Sequence, residues 1–362
     1  MFARSDRPVS LLSLALLAVL SGCGSAATNN VPAASGASAV ALPTVVGDNN
    51  GKGKGGGGGG KGKCGGLNDP SKGGGGGSGI LYGAILYGHD LNVYSTGSSG
   101  SGLQYQCTLT QGVEDPNGTI ATVNGWWYVA NGGGENVLVY QTKKSGPQGP
   151  VSTLADYNEY PTNVYTNPNR NTVAVSNLDS VSGGGGSVSV YLHRQAVFTR
   201  MLTVSGYGSV YGAGIAITHG GDCYWGFNTT GSNSSGYIVK FSKCNGNATV
   251  VLSGIPQVGG ITFDQSDNLY YVNSVAYGSI AAGVYKCAKT SEPCNPFENT
   301  TTHIDYVQPT NLNFDYKGKD LWVADPGAGY IYELNSSGGL ELSDQVGTGN
   351  YAVYGVAPEP GQ

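Results

Sequence analysis

The chain has 362 residues, of which 62 are Gly and 24 are Tyr, and only 11% carry a charged side chain. That excludes a long-helix or coiled-coil protein, which draws on Ala, Leu, Glu, Lys and Arg; the Val, Thr, Ser and Asn that accompany the glycine belong to strands and turns. A formal net charge of -5 supplies no field toward phosphate backbones, so nucleic acid is not an expected partner. In chain order, Arg4 and Arg7 precede the apolar run LLSLALLAVL at 11–20. A hydrocarbon core of ~30 Å needs about 20 apolar residues to cross, so this run has the length of a signal-peptide core, and 1–22 is expected to be removed.

The next residues, Leu20-Ser21-Gly22-Cys23, resemble the bacterial lipobox, which implies that Cys23 is diacylated and becomes the mature N-terminus. Gly24 stands where the inner-membrane retention signal usually has Asp. The expected location is therefore the bacterial cell envelope, lipid-anchored, with the outer membrane or cell surface favoured. Two acyl chains give stable anchoring where one is marginal.

From 24 to 79 nothing periodic occurs, and 17 of the 29 residues at 51–79 are Gly. Such a chain buries too little apolar surface to offset its ordering entropy. Residues 23–79 are read as the lipidated cysteine plus a disordered Gly/Lys-rich tether. The remainder, 80–362, carries 11 basic and 20 acidic side chains and forms an acidic body.

That body repeats. Strands of similar pattern occur as LNVYS with Tyr94, NVLVYQ with Tyr140, SVSVYL with Tyr191, YIVKFS with Lys240, AGVYKC with Tyr285 and GYIYEL with Tyr332, at spacings of 46, 51, 49, 45 and 47 residues. Within the last full unit PTNLNF, LWVAD, YIYELN and LELSDQV are four short strands separated by turns, the composition of a propeller blade. The second strands, WWYVAN, TVAVSN, CYWGFN, LYYVN and LWVAD, are nearly continuous apolar runs, as strands covered on both faces are. The chain opens on half a blade, and YAVYGVAPEP at 351–360 reads as a lone first strand. The expected fold is an all-β, six-bladed β-propeller with four antiparallel strands per blade, closed by the C-terminal strand joining the N-terminal blade.

The units PTNLNFDYKGKDLWVADPGAGYIYELNSSG and VGGITFDQSDNLYYVNSVAYGSIAAGVYKC resemble the NHL-type propeller repeat, and the architecture is similar to streptogramin lyase and gluconolactonase-type propellers. The resemblance implies a divalent metal held by Glu, Asn and Asp at inner-strand starts, or a His and Glu arrangement. The matching positions here are Asn163, Asn311, Gly118, Gly214, Gly260 and Gly355, which is not a hard-cation set. Of the four His, only His219 falls near a first-strand end, no zinc-like spacing occurs, and no Gly-x-Ser-x-Gly elbow is present. No catalytic residue, metal or cofactor is assigned. Asn131, Asn177, Asn228, Asn273 and Asp325, where second strands end, are expected to cap turns.

Six cysteines besides Cys23 suit an oxidising compartment. The expected pairs are Cys287 with Cys294 and Cys223 with Cys244, leaving Cys64 and Cys107 to tie the tether to the body. The reading is a lipid-anchored, exported propeller acting as a binding or scaffold module at the envelope, with a lactonase-like or lyase-like enzyme as the alternative. Its partners would be the membrane, through the lipid, and an envelope glycan, peptide or protein held at a channel mouth formed by Asn163, Asn311, Tyr160, Tyr211, Tyr351 and His219.

Overall fold

Twenty-four strands are found in the computed structural model, which describes residues 80–358 with breaks at 87–88, 97–101, 122–124, 142–148, 157–158, 168–170, 181–184, 194–196, 231–233, 292, 298–303, 316–317 and 347–351. The expectations for 1–22, for Cys23 and the tether, for Cys64 and for Tyr351 lie outside the described residues.

The strands form six four-stranded antiparallel sheets. Blade one contains β1 (Ile80–Ile85), β2 (Asp90–Thr96) and β3 (Leu103–Leu109); blade two contains β4 (Pro116–Ala121), β5 (Trp126–Asn131), β6 (Asn136–Gln141) and β7 (Ser152–Ala155). Blade three follows with β8 (Glu159–Asn167), β9 (Thr172–Ser180), β10 (Ser187–Leu192) and β11 (Val197–Leu202), and blade four with β12 (Val210–Ile217), β13 (Cys223–Thr229), β14 (Gly236–Phe241) and β15 (Thr249–Ile255). Blade five is β16 (Val258–Phe263), β17 (Leu269–Asn273), β18 (Gly283–Cys287) and β19 (Cys294–Pro296); blade six is β20 (Asn311–Phe314), β21 (Leu321–Asp325), β22 (Tyr330–Leu334) and β23 (Leu340–Gln345). The last strand, β24 (Val353–Pro358), pairs with β1 from Leu81 opposite Pro358 to Ile85 opposite Val353. The expected six-bladed ring, closed by the C-terminal strand, is therefore the observed fold.

Each pair of neighbouring blades shares one apolar cluster, which accounts for the uninterrupted apolar second strands. Along β5, Trp127 and Val129 enter the core between blades one and two, while Tyr128 and Ala130 enter the core between blades two and three. Along β21, Leu321 and Val323 face blade five, and Trp322 and Ala324 face blade one. A fully buried side chain of the Val, Leu or Phe type contributes about 1.5–3 kcal/mol, so one strand stabilises two interfaces at once. Tyr165 of β8 packs against three successive clusters, from blades two to five, and so reaches toward the ring axis.

Two expected disulfides are present. Cys223–Cys244 links the start of β13 to the residue region after β14, and Cys287–Cys294 joins directly opposed residues of β18 and β19. Cys107 is disulfide-bonded as well; the other four described cysteines pair with one another, so its partner lies outside the described residues. Among the described residues no helix is long and apolar enough to cross a membrane.

Candidate functional site

All six inner strands begin on one face of the ring, where the chain enters each blade from its predecessor and where second strands turn into third strands. Side chains at the second-strand ends hold these entries. Asp325 accepts the Val307 and Gln308 amides at 2.9 and 2.8 Å. Asn273 accepts the Gln257 amide and donates to the Val275 and Ala281 carbonyls, and Asn131 accepts the Glu114 amide. Asn228 reaches into the next blade, pairing with both the N–H and the C=O of Val258. Asn131, Asn273 and Asp325 act as the turn caps their positions suggest; Asn228 instead ties its blade to the first residue of the next inner strand, and Asn177 donates to the Ser187 and Ser189 hydroxyls of the neighbouring strand.

The inner strands approach one another closely at the glycine positions. A Cβ on Gly214 would lie 2.6 Å from the Ile261 nitrogen and 2.7 Å from the Gly259 oxygen; one on Gly355 would lie 2.3 Å from the Asn117 oxygen. Gly118 meets Thr162 and Asn163, and Gly260 meets Asn311, in the same way. These positions have no room for a carboxylate, so the divalent-metal set implied by the gluconolactonase resemblance does not fit them. Only Asn163 and Asn311 carry side chains there, both buried, and Asn311 Oδ1 has no hydrogen-bond partner.

Tyr160 and Tyr211 stand at the starts of β8 and β12 on this face. The Tyr160 ring lies over Gly132, where an added Cβ would be 2.5 Å from Cε1 and Cζ. Burial raises the Tyr211 phenol above its ordinary value, with a further rise from the Asp179 charge. His219 is placed elsewhere: it follows the far end of β12, and its backbone N–H and Nδ1 both contact Asp267 Oδ1, at 3.0 and 2.9 Å. Tyr160, Tyr211, Asn163 and Asn311 thus share the face where inner strands start, and His219 does not.

Sequence reasoning missed a buried polar network at the same end of blade three. Asn177 Nδ2 donates to Ser187 Oγ and Ser189 Oγ, each at 3.0 Å. Ser187 donates to Glu159 Oε2 at 3.0 Å and Ser189 to Asp156 Oδ1 at 2.7 Å. The Tyr191 hydroxyl donates to the Ala155 carbonyl. Burial pushes the Glu159 carboxyl up to about 7, against the lowering effect of Ser187 and with further rises from Asp156 and Asp179. Asp156 is raised by burial too, partly offset by the hydrogen bond from Ser189 and by the Tyr191 and Asn177 side chains beside it. The available signal was SVSVYL, which places Ser187 and Ser189 on one face of a third strand in an otherwise apolar interface.

A second acidic group, Asp320, Glu333 and Glu341, brings its carboxylate oxygens within 4.8 Å of one another on blade six. Burial, then the charges of Asp320, Glu341 and Asp315, push Glu333 up to about 7.

No protein-family profile matches the chain, and no curated protein matches it in sequence. Its fold is similar to that of solved propellers. A structure of the nidogen–laminin complex matches with a TM-score of 0.56 at 13% identity, over 78% of this chain and 98% of the other. A Bacteroides fragilis NCTC 9343 protein provisionally named a 6-phosphogluconolactonase matches at 0.52 and 14% identity, over 78% and 97%. A Desulfotomaculum acetoxidans DSM 771 protein of unknown function matches at 0.52 and 12%, over 78% and 100%. At these identities the likeness defines the architecture, a β-propeller, and leaves the chemistry to the site itself.

Proposed function

We propose that the chain is an exported, lipid-anchored propeller of NHL-type repeats that binds a neutral glycan or a peptide segment at the face where its inner strands begin. The observation that carries this reading is the chemistry of that face. Glycines pack backbone to backbone at four of the six inner-strand positions, and the side chains that remain are amides, with phenols beside them. Amides and phenols supply neutral hydrogen-bonding groups and flat apolar faces, which suit recognition and are poor at polarising a scissile bond. The disulfides point to an oxidising, exported setting. The Leu20-Ser21-Gly22-Cys23 motif supports lipid anchoring at the bacterial envelope.

The test is calorimetric titration of the full chain with envelope glycans and peptides, with lactone hydrolysis assayed in parallel under added Ca²⁺, Mg²⁺ or Zn²⁺. Saturable binding weakened by Asn311→Ala or Tyr211→Ala is expected. Metal-dependent turnover abolished by Asn163→Ala or Asn311→Ala would replace the binding module with an enzyme.

A further inference from the structure

The two ends of the ring differ in charge. On the face where inner strands begin stand Asp90 at the start of β2, Glu114 and Asp115 in the segment entering β4, Glu135 between β5 and β6, Asp179 near the end of β9 and Asp305 in the segment entering β20. All of them are exposed or half-buried. Among the described residues this face has no Lys or Arg, and its basic side chain is His89, 3.2 Å from Asp115. Lys240, Lys243, Lys286, Lys289 and Lys319 lie at the opposite end, and Arg200 lies midway along the outer strand β11. That opposite end pairs its charges, Lys240 and Lys243 with Asp222 and Lys286 with Asp264. A surface of one sign with no balancing cation steers partners of the other sign toward it.

The rest of the same face is apolar. The turn from β17 to β18 on blade five has no charged residue, and it exposes Tyr277 at 77% and Ile280 at 37%; Val307, entering blade six, is 60% exposed. The other exposed large apolar side chains lie on or beside outer strands. These three stand on held backbone. Tyr277 and Ile280 exchange backbone hydrogen bonds at 2.9 and 3.1 Å. Asp325 accepts the Val307 amide at 2.9 Å, and Val307 Cγ1 packs over Gly327. An apolar side chain presented on ordered backbone loses little further freedom when a partner covers it. At the start of β20 on this face, Asn311 is 4% exposed and its Oδ1 has no hydrogen-bond partner, an acceptor that lacks a donor. We infer that the ligand of this face is a peptide segment carrying Lys or Arg together with an apolar side chain. Its cations are drawn to the carboxylates of blades one to three, and its apolar side chain covers Tyr277 and Val307. The inference rests on the mouth reading above and selects a basic, apolar peptide over a neutral glycan, which would leave the carboxylates unmatched.

The experiment is calorimetric titration of the full chain with short Gly/Ser peptides carrying Arg and Leu, Gln and Leu, or Glu and Leu, and with a neutral chito-oligosaccharide. At low salt the Arg/Leu peptide should bind at least about tenfold tighter than the Gln/Leu peptide, and the Glu/Leu peptide weakest. Raising NaCl to about 0.5 M should remove most of that advantage, because exposed charges are screened within ~10 Å even at 0.1 M. Glu114→Gln combined with Asp179→Asn should weaken the Arg/Leu peptide at least about tenfold and flatten its salt dependence. Both replacements keep an acceptor, which Asp179 supplies to the Gly185 amide. Tyr277→Ser should weaken the same peptide with its salt dependence intact, and Glu341→Gln at the opposite end should change nothing. Equal affinity for the Arg/Leu and Gln/Leu peptides, or tighter binding of the chito-oligosaccharide, would overturn the basic ligand and leave the mouth reading standing. Arg/Leu binding indifferent to the Glu114→Gln, Asp179→Asn double variant and to Tyr277→Ser would lie elsewhere on the chain and would also overturn it. So would a chain that binds none of these probes; the mouth reading falls only if its own panel of envelope glycans and peptides fails as well.

Discussion

Gly355 on the last strand and Asn117 on the first inner strand of blade two are in backbone contact: a Cβ at 355 would stand 2.3 Å from the Asn117 carbonyl oxygen. The seam that closes the ring is thus packed as tightly as the junctions inside the chain. Gly355→Ala should force the seam apart and destabilise the protein by about 1–3 kcal/mol, measured by denaturant titration. Deleting 351–362 should do far more, since it uncovers the edge of β1 and one face of a core; a truncated protein that melts like the full chain would be incompatible with this closure.

Tyr165 joins three inter-blade cores, and its hydroxyl lies beside the Thr262 side chain of β16. Tyr165→Ala should cost about 3 kcal/mol by leaving a void on the axis side of blade three. Tyr165→Phe keeps the ring and should cost less than about 1 kcal/mol. Equal losses for the two variants would show that the hydroxyl, and not the packing of the ring, dominates.

Stability should fall as pH rises. Glu159 and Glu333 sit at about 7 in the folded chain against 4.5 for the ordinary group, so the folded state holds these protons more tightly than the unfolded state does. Their contribution is fully present below about pH 4.5 and is lost as pH rises through 7. Between pH 5 and pH 8 a loss of roughly 2 kcal/mol, or about 3–6 °C in Tm, is expected. Glu159→Gln should remove part of that slope. A Tm that rises across this interval in wild type would contradict the burial of these carboxyls.

Anchoring is tested at Cys23. Cys23→Ser should leave an unlipidated precursor, and mass spectrometry of the mature wild-type N-terminus should find a diacylated cysteine. An unmodified residue at another position would leave an ordinary secretory signal in its place.

The architecture was legible in the sequence because it depends on a repeated local pattern. WWYVAN and LWVAD are apolar at successive positions, and such a strand is stable in water only with a cover on each face, which a blade ring supplies. The half-blades at the two ends identified the closing pair before any register was known. The turn-capping roles of Asn131, Asn273 and Asp325 were readable for the same reason, since a short polar side chain at a strand end meets the amides of the nearest turn. His219 was less legible. Its GGD setting marked a turn, but which face of the ring that turn occupies follows from the direction of β12.

The sequence by itself determined the blade count, the strand order and two disulfides, because each rests on spacing along the chain and on which residues tolerate burial. Only the tertiary structure decided that the inner-strand glycines are contacts between neighbouring backbones and that Asp156, Glu159, Asn177, Ser187 and Ser189 share one buried network. Those residues lie as much as 33 positions apart in the chain, and no local pattern relates them. They meet because the twist and pairing of blade three bring the ends of three strands and an entering segment to a single point.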